Sequence, residues 1–326
     1  MAELIKTPKA PLFRDPILDG PADPMVIWNR EEQSWWMLYT ARRANVEGEK
    51  YAWCFGTSIG VASSTDGGRS FLYRGELSLP IEPGKNTYWA PEVIYHEGTY
   101  HMYVTYSRGV APSWHSEYYT AHFTAQNMWE WHFEGFMDID KGHDPCCLQM
   151  PDGKWRMWWR GRNETVCAES TDLWNWKRIG TVDTVRSEGP NVFFWKGYYW
   201  MIVDVWNGLG VYRSSDAEHW ERKNDILNVP GTRPYDSDLG QHADIVVSGN
   251  HAYVFYFVNA VRNRDNKGSM RVDLTYDERR SMVQVAELEF DGDGIVCDRD
   301  KPFHMELQPP EEAAAHAVVQ LPIHSI

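Results

Sequence analysis

Five segments of the sequence each begin with an ionisable side chain and continue into an apolar run rich in β-forming residues. They read ADPMVIW, APEVIY, HDPCCL, EGPNVFFW and HADIVV, and their ionisable head residues are Asp23, Glu92, Asp144, Glu188 and His242. Two carboxyl groups held in different protonation states can act as a general acid and a general base. One Asp-Pro is weak evidence, because the dipeptide is common in turns. Five such heads indicate a functional site, since gathered like charges perturb one another.

Each head residue starts a predicted β-hairpin. An apolar strand and a tight turn lead into an aromatic strand, and the five aromatic strands read SWWMLYT, TYHMYVTY, KWRMWWRG, YYWMIVD and HAYVFYFV. A second hairpin often follows, as in IGVASSTDGGRSFLYRG and LGVYRSSDAEHWERKN, with a Ser-x-Asp turn between its strands. Units of four strands that recur roughly every 45–70 residues are typical of propeller blades.

The pattern predicts an all-β fold, a five-bladed β-propeller with four-stranded antiparallel blades around a central funnel. We expect residues 1–22 to lead into the propeller, residues 23–300 to form the catalytic domain and residues 301–326 to pack on it as a tail. The first strand of each blade lines the channel of a propeller, so the head residues would meet at its axis. Two other folds stay open, a large sandwich or jelly roll and a six-bladed sialidase propeller, whose Asp-box turns SSTDGGRSF approaches.

The composition bears on partners and compartment. With 46 Asp and Glu against 32 Lys and Arg, the net charge is −14, which repels phosphate backbones, so we expect no nucleic-acid partner. The N-terminal MAELIKTPKAPLF lacks the apolar region of a secretory signal. No stretch approaches the roughly 20 apolar residues of a membrane span. We therefore expect a cytoplasmic protein with no membrane partner, and free thiols for the five cysteines; the oligomeric state is not readable.

The head segments resemble glycoside hydrolase family 43. The resemblance rests on Asp23-Pro24, WAPEV at 89–93, HDP at 143–145, EGPNVFFWKGYYW at 188–200 and QHADIVV at 241–247, and it extends blade by blade over most of the chain. It implies a five-bladed propeller, a carbohydrate substrate, and hydrolysis of arabinofuranosides, xylosides or related galactosides with inversion.

The resemblance also implies roles for the matching residues. Asp23 would be the general base, Glu188 the general acid, and Asp144 the acidic residue that adjusts pKa and orientation. His242 matches an axial histidine that in many members lies beside a cation, often calcium, so a structural calcium near the axis is expected, contacted by His242 through water. No cofactor is required for the reaction. We expect the FFW run that follows Glu188 to keep its surroundings poor in water and to raise its pKa.

Further residues near the heads are candidates for substrate binding. Aromatic rings suit the faces of sugars, and arginine forks suit carboxylate or sulfate groups. The candidates are Glu92, Trp89, His143, Arg42, Arg160, Trp206 and His242. Each type has a structural alternative, because tryptophans usually fill cores and arginines at strand ends usually reach solvent or pair with acids.

The sequence therefore predicts an inverting glycoside hydrolase that removes a terminal sugar, with α-L-arabinofuranosyl as the first choice, from oligosaccharides. Glu92 stands where the family usually has Asp, and the stretch TARRANVEGEKYAWCFG after the first hairpin is unlike a typical xylosidase. Anhydro-, galacto-, acidic or sulfated sugars of algal or plant glycans are thus an alternative substrate class. A non-catalytic carbohydrate-binding propeller is another reading, as is a propeller phosphorylase with a phosphate pocket built from Arg42, Arg43, Arg160 or Arg162.

Overall fold

Five small sheets make up the fold. The computed structural model describes residues 7–114, 116–139, 141–182, 184–259, 261 and 273–310. Within these residues twenty strands form five four-stranded antiparallel sheets, each with its strands hydrogen-bonded in chain order. The first strands of the five sheets contact one another in a ring. The predicted five-bladed β-propeller is therefore confirmed.

The strands of each blade follow one another directly in the sequence. Blade 1 consists of β1 (Pro21–Asn29), β2 (Ser34–Ala41), β3 (Ser58–Ser64) and β4 (Leu72–Glu76). Blade 2 consists of β5 (Thr87–His96), β6 (Thr99–Ser107), β7 (Tyr119–Ala125) and β8 (His132–Phe136). Blade 3 consists of β9 (His143–Gln149), β10 (Trp155–Arg160), β11 (Thr165–Ser170) and β12 (Lys177–Val182). Blade 4 consists of β13 (Glu188–Trp195), β14 (Tyr198–Asp204), β15 (Leu209–Ser214) and β16 (Glu221–Ile226). Blade 5 consists of β17 (Gln241–Ser248), β18 (His251–Val258), β19 (Met282–Phe290) and β20 (Ile295–Val296), and the four-residue helix α1 (Tyr276–Arg279) precedes β19.

Aromatic side chains fill the space between neighbouring blades. The second strands are buried along their length, as β2 shows, whereas β4 and β8 at the outer edge alternate between exposed and half-buried residues. Strands covered on both faces are built from continuous apolar runs, which explains the sequences of the aromatic strands. Trp36, Trp158 and Trp200 are fully buried. Each such side chain stabilises the packed blades by roughly 1.5–3 kcal/mol or more.

The Ser-x-Asp turns lie between the third and fourth strands and serve the backbone. In blade 4 the Ser214 hydroxyl accepts the Ala217 N–H at 2.8 Å, and Asp216 accepts the N–H groups of Glu218 and His219, each at 2.8 Å. Blades 1 and 3 repeat the arrangement at Asp66 and Asp172. The turns therefore carry no weight as evidence for a sialidase.

Blades 1 and 5 meet where the ring closes, and no strand in the described part of the chain belongs to both. The Val26 N–H on β1 donates to the Asp244 carboxylate on β17 at 2.7 Å. Before β1, Phe13 pairs with Val283 of β19 through backbone hydrogen bonds. After β20, Phe303, Met305 and Leu307 pack into the core between these two blades. The part of the expected tail beyond residue 310 lies outside the described residues. No helix among the described residues is long and apolar enough to cross a membrane.

Candidate active site

A β-bulge near the start of each innermost strand sets the positions of the head residues. Pairing with the second strand is interrupted in all five blades, at the bulge positions Asp23, Ala90, Asp144, Gly189 and His242. The first four have positive φ, of 49°, 46°, 60° and 55°. A bulge re-aims side chains, and strained backbone of this kind clusters at functional sites. Asp23, Asp144 and His242 therefore stand at one level of the channel, and Glu188 directly precedes the bulge of blade 4.

The register corrects the expected position of Glu92. Ala90, and not Glu92, occupies the bulge position of blade 2, so Glu92 lies two residues further along β5. It is buried, and its carboxylate accepts the Cys147 N–H of blade 3 at 2.7 Å. Asp244 lies at the corresponding place in blade 5 and accepts the Val26 N–H. Both carboxylates thus link neighbouring blades below the level of Asp23.

Four blades bring charged groups together near that level. His242 Nδ1 lies 3.4 Å from Asp23 Oδ1 and 3.9 Å from Asp144 Oδ2. His143 Nδ1 lies 2.8 Å from Asp144 Oδ2. One side-chain atom each of His143, Asp144 and Glu188 lie within 4.8 Å of one another. Asp23, Asp144, Glu188 and the two histidines therefore form one cluster, as the sequence predicts.

Glu188 and Asp144 have neighbouring carboxyl groups whose pKa values are shifted in opposite directions. Removal of water from around Glu188, and the nearby charges of Asp144 and Asp204, raise its pKa to about 7. Burial alone would raise the pKa of Asp144 as well, but the His143 charge and hydrogen bond, with help from His242 and the Gly189 N–H, hold it below its usual range. Glu188 can therefore carry a proton near neutral pH while Asp144 is ionised.

The carboxylates in turn raise the pKa values of the two histidines. Burial lowers the pKa of His242, but Asp23, Asp144 and Glu188 outweigh it and raise that pKa above its ordinary value. The pKa of His143 is raised in the same way, chiefly by Asp144 against the effect of burial. Both rings therefore tend to be protonated, and their charge offsets part of the repulsion among the carboxylates.

Residues at the ends of the second strands fix the bulges. Thr40 Oγ1 accepts the Ala90 N–H at 2.9 Å, and Thr105 Oγ1 accepts the Asp144 N–H at 3.0 Å. Asp204 accepts the His242 N–H at 2.9 Å and pairs across the sheet with Glu188. Asp204 is a residue of the candidate site that the sequence reasoning missed. Its signal was its place as the last residue of the aromatic strand YYWMIVD, opposite a head residue.

Arg42 and Trp89 stand on the side of the site formed by blades 1 and 2. Arg42 Nη2 donates to Asp23 Oδ1 at 3.3 Å, and its guanidinium lies 4.9 Å from the centre of the Phe257 ring. Trp89 is buried, and its Nε1–H donates to the Cys54 carbonyl at 2.7 Å. Trp89 is therefore a core residue. The rings of Trp114 and Tyr118 pack against it, and only the accessible part of this aromatic cluster can contact a ligand.

Those neighbouring rings come from the loop between β6 and β7. Trp114 and Tyr118 contact the Trp89 ring with centroid distances of 5.8 and 5.3 Å. Trp114 is 39% exposed, and Tyr118 lies 5.9 Å from the His143 ring. This loop supplies an aromatic surface beside the charged cluster that the strand pattern did not predict, because loop residues approach the site only through the fold.

Arg160 and Trp206 stand on the opposite side, beside Glu188. Arg160 ends β10 and pairs across the sheet with His143. The Trp206 N–H donates to Asp204 at 2.6 Å, and its ring is 37% exposed. The Arg160 guanidinium lies 5.7 Å from the centre of that ring. Of these two predicted substrate-binding residues, Trp206 combines proximity to the cluster with an accessible ring, whereas Arg160 is buried.

The FFW run does not surround Glu188 as expected. Glu188 pairs with Asp204 at one end of β13, whereas Phe193 pairs with Trp200 near the other end, five residues and roughly 16 Å further along the strand. Phe193 and Trp195 pack into the core between blades 4 and 5. The Glu188 pKa is therefore raised by burial and then by the charges of Asp144 and Asp204, not by this aromatic run.

The residues around His242 do not by themselves make a calcium site. Calcium takes six to eight oxygen ligands. Next to His242 the described side chains offer the carboxylates of Asp23 and Asp144, which His242 Nδ1 already faces. A cation here would depend mainly on water for its ligands, and the expected calcium stays a prediction.

Comparisons with known proteins were made for both sequence and structure. No protein-family model and no curated protein sequence matches the chain. Solved structures do match it. The GH43_1 enzyme from Xanthomonas citri has a TM-score of 0.64 and 12% identity, covering 89% of this chain and 94% of that enzyme.

Two further solved structures are similar to the chain. CoXyl43, a GH43 β-xylosidase/α-arabinofuranosidase from a compost microbial metagenome, in its calcium-free complex with xylotriose, has a TM-score of 0.64 and 15% identity over 89% of this chain and 98% of that one. The xylan β-1,4-xylosidase from Bacillus halodurans C-125 has a TM-score of 0.61 and 17% identity over 96% and 60%. The neighbours are thus enzymes of the family that the sequence resembles, and at these identities the likeness establishes the shared propeller fold.

Proposed function

We propose that this chain is an inverting glycoside hydrolase that removes a terminal sugar from oligosaccharides. The observation that carries the proposal is the meeting of Asp23, Asp144 and Glu188 from three blades in one cluster, in which the pKa of Glu188 is raised to about 7. A carboxylic acid that keeps its proton at neutral pH beside ionised carboxylates is the arrangement that glycosidases use.

Each residue of the cluster has a role in this proposal. Glu188, protonated, donates its proton to the oxygen of the leaving group. Asp23 accepts a proton from a water molecule that attacks the anomeric carbon from the other side, so the configuration inverts. Asp144 stays ionised, keeps the Glu188 pKa high and orients His143. His242 and Arg42 hold Asp23 in place through the contacts at 3.4 and 3.3 Å.

The proposed substrate carries a terminal α-L-arabinofuranosyl group. One neighbour is described as a β-xylosidase/α-arabinofuranosidase, and others were solved with xylose or xylotriose, which supports a pentose-containing glycan. The aromatic surface of Trp114 and Tyr118 offers a flat apolar face of the kind on which sugars stack.

A screen of nitrophenyl glycosides and plant oligosaccharides tests the proposal. Release of arabinose is expected, and NMR of the first-formed product is expected to show the anomer opposite to that of the substrate. A product that retains the anomeric configuration would rule out the inverting mechanism, and a wild-type protein that cleaves no glycoside would rule out the hydrolase.

A further inference from the structure

Two arginines and one tryptophan gather at the rim of the cluster on the side of Glu188. Glu188 and Asp204 are paired across β13 and β14, so Arg186 and Trp206, each two residues beyond this pair, lie beside each other. The guanidinium of Arg186 lies 5.4 Å from the centre of the Trp206 ring, and that of Arg160 lies 5.7 Å from it. We call these three residues the arginine rim.

Arg160 is a charged group in an unusual setting. It is only 7% exposed. Its Nε–H donates to the Gly161 carbonyl at 3.0 Å and its Nη2–H to the Arg162 carbonyl at 3.4 Å, both carbonyls of its own loop. Among the described residues no carboxylate forms an ion pair with it. Burial of an arginine without an ion-pair partner is unfavourable, and the 46 acidic residues of this chain could have supplied one.

Arg186 adds a second guanidinium to the same place. It is exposed, and its contact with the Trp206 ring holds it at the rim. Within the part of the chain that the structure covers, it too has no ion-pair partner. The two guanidinium groups repel each other. An anionic group of a ligand bound between them would offset this repulsion.

We propose that the arginine rim binds an anionic group, a carboxylate or a sulfate, on the part of the glycan that leaves. This inference rests on the proposed function, because it takes Glu188 as the acid that protonates the leaving group. The arginines divide between the two sides of the cluster. Arg42 contacts Asp23, where water attacks, whereas Arg186 and Trp206 each lie two residues beyond the Glu188–Asp204 pair, and Arg160 lies over the same Trp206 ring.

The chemistry of the rim suits such a group better than a neutral hydroxyl. A guanidinium binds a carboxylate or sulfate through two parallel hydrogen bonds. The exposed part of the Trp206 ring can pack against the sugar that carries the charge. The substrate class is therefore an acidic glycan, such as an arabinosylated oligosaccharide that also bears a uronic acid or a sulfate ester.

Titration calorimetry with small sugars tests the rim without requiring turnover. D-glucuronate and glucose 6-sulfate are expected to bind the wild-type protein about 10- to 100-fold more tightly than D-glucose. The preference of each anion over glucose is expected to fall to about one in Arg186→Met, which changes an exposed side chain, and in Arg160→Met. Equal binding of all three sugars to the wild type, or an unchanged preference in Arg186→Met, would overturn the proposal.

A matched control is Arg30→Met. Arg30 follows β1 at the end away from Asp23, and its guanidinium also lies over an aromatic ring, that of Tyr95 at 4.4 Å. This variant is expected to keep the wild-type preference. Glucuronate and glucose 6-sulfate also separate the two anion types, because the one bound more tightly identifies the group that the rim prefers.

Kinetics provide the second arm. For a wild-type enzyme that releases arabinose, the ratio of kcat/KM for a glucuronate-substituted oligosaccharide to that for its unsubstituted counterpart is expected to exceed ten and to fall to about one in Arg186→Met. A wild-type protein with no hydrolase activity would reject the proposed function, while the calorimetry would still decide on the rim. Formation of a sugar 1-phosphate only in the presence of inorganic phosphate would overturn the proposal and assign the arginines to the attacking phosphate.

Discussion

Glu188 shows how one residue acquires its chemistry from neighbours that are distant in sequence. Asp144 comes from blade 3 and Asp204 from the second strand of blade 4, and both oppose ionisation of Glu188. Glu188→Gln is expected to lower kcat by about 10²- to 10⁴-fold on substrates with poor leaving groups, because the proton donor is lost. Substrates with dinitrophenol as the leaving group need little protonation and should lose much less.

Steady-state assays on the two substrate types measure this difference. Glu218→Gln, at an exposed outer loop position, is the control and should resemble the wild type. A Glu188→Gln enzyme that is slowed equally on both substrate types would show that Glu188 is not the acid.

The raised pKa of Glu188 also predicts the pH dependence of the reaction. The acid must be protonated, so kcat/KM should decline above pH of about 7, approaching tenfold per pH unit. Asp204→Asn removes a negative charge from beside Glu188, which stabilises its ionised form and should move this decline to lower pH. Asp172→Asn, in an outer turn, should leave it in place. An alkaline limb that does not move in Asp204→Asn would contradict the role given to Asp204.

Among the elements, the bulges of the innermost strands position the site. Gly189 has φ of +55°, and a Cβ there would lie 2.8 Å from the His242 ring. Gly189→Ala should therefore cost roughly 1–2 kcal/mol of stability for the left-handed backbone and also displace His242, lowering kcat/KM about 10- to 100-fold.

Gly197, in the turn at the other end of β13, is the matched control, because a substitution there has the backbone cost alone. Its φ is +84°, but a Cβ there would meet no atom within 4 Å. Gly197→Ala should show a similar loss of stability in urea unfolding with wild-type activity. Equal activity in the two variants would show that the bulge of blade 4 does not position the site.

A pair of buried histidines in blade 2 makes that blade sensitive to acid. His101 Nδ1 and His122 Nε2 are 3.0 Å apart. Burial, and then the His101 charge, lower the pKa of His122 to about 3, and burial and His96 lower that of His101 against the opposing effect of Glu134. The unfolded chain therefore binds more protons below pH of about 6.5, and stability should fall by up to about 1.4 kcal/mol per pH unit for each histidine as the pH drops.

Urea unfolding at pH 7.5 and pH 5 tests this dependence. His122→Phe keeps a ring against Tyr103 but removes one titrating group, so its stability should vary less between the two pH values. His132→Phe, exposed on β8, should vary as the wild type does. A His122→Phe variant whose stability changes between the two pH values as much as that of the wild type would contradict the prediction.

The elements that the sequence predicted well are those built from consecutive residues. Each blade is four successive strands, so its aromatic strand and Ser-x-Asp turn could be recognised locally, and the count of blades followed. The strand pattern did not show that Glu92 lies two residues beyond the bulge position, because alternation of polar and apolar residues does not reveal the bulge at Ala90. Asp204, Trp114 and Tyr118 were missed because they reach the cluster through strand pairing and loop packing.

For the molecule as a whole, hydrogen bonds between neighbouring innermost strands hold the ring together. Cys147 N–H donates to Glu92 between blades 2 and 3, and Val192 N–H donates to Cys146 Sγ, at 3.2 Å, between blades 3 and 4. Val26 N–H donates to Asp244 between blades 1 and 5. None of the described strands belongs to both the first and the last blade, so the Asp244 bond helps to determine whether the ring stays closed.

Asp244 should therefore control stability in a way that depends on pH. Burial, opposed by the Val26 N–H and Asn191, raises its pKa to about 6. Because the folded protein binds this proton more tightly than the unfolded chain, stability is lost as the pH rises through about 6.

Asp244→Asn keeps an acceptor without the charge and should unfold at a higher temperature than the wild type at pH 8, with a smaller difference at pH 5. Asp244→Ala should lose about 1–3 kcal/mol at both values, because the buried Val26 N–H has no acceptor. Thermal unfolding at the two pH values measures this, and a ring closed by packing alone would leave Asp244→Ala as stable as the wild type.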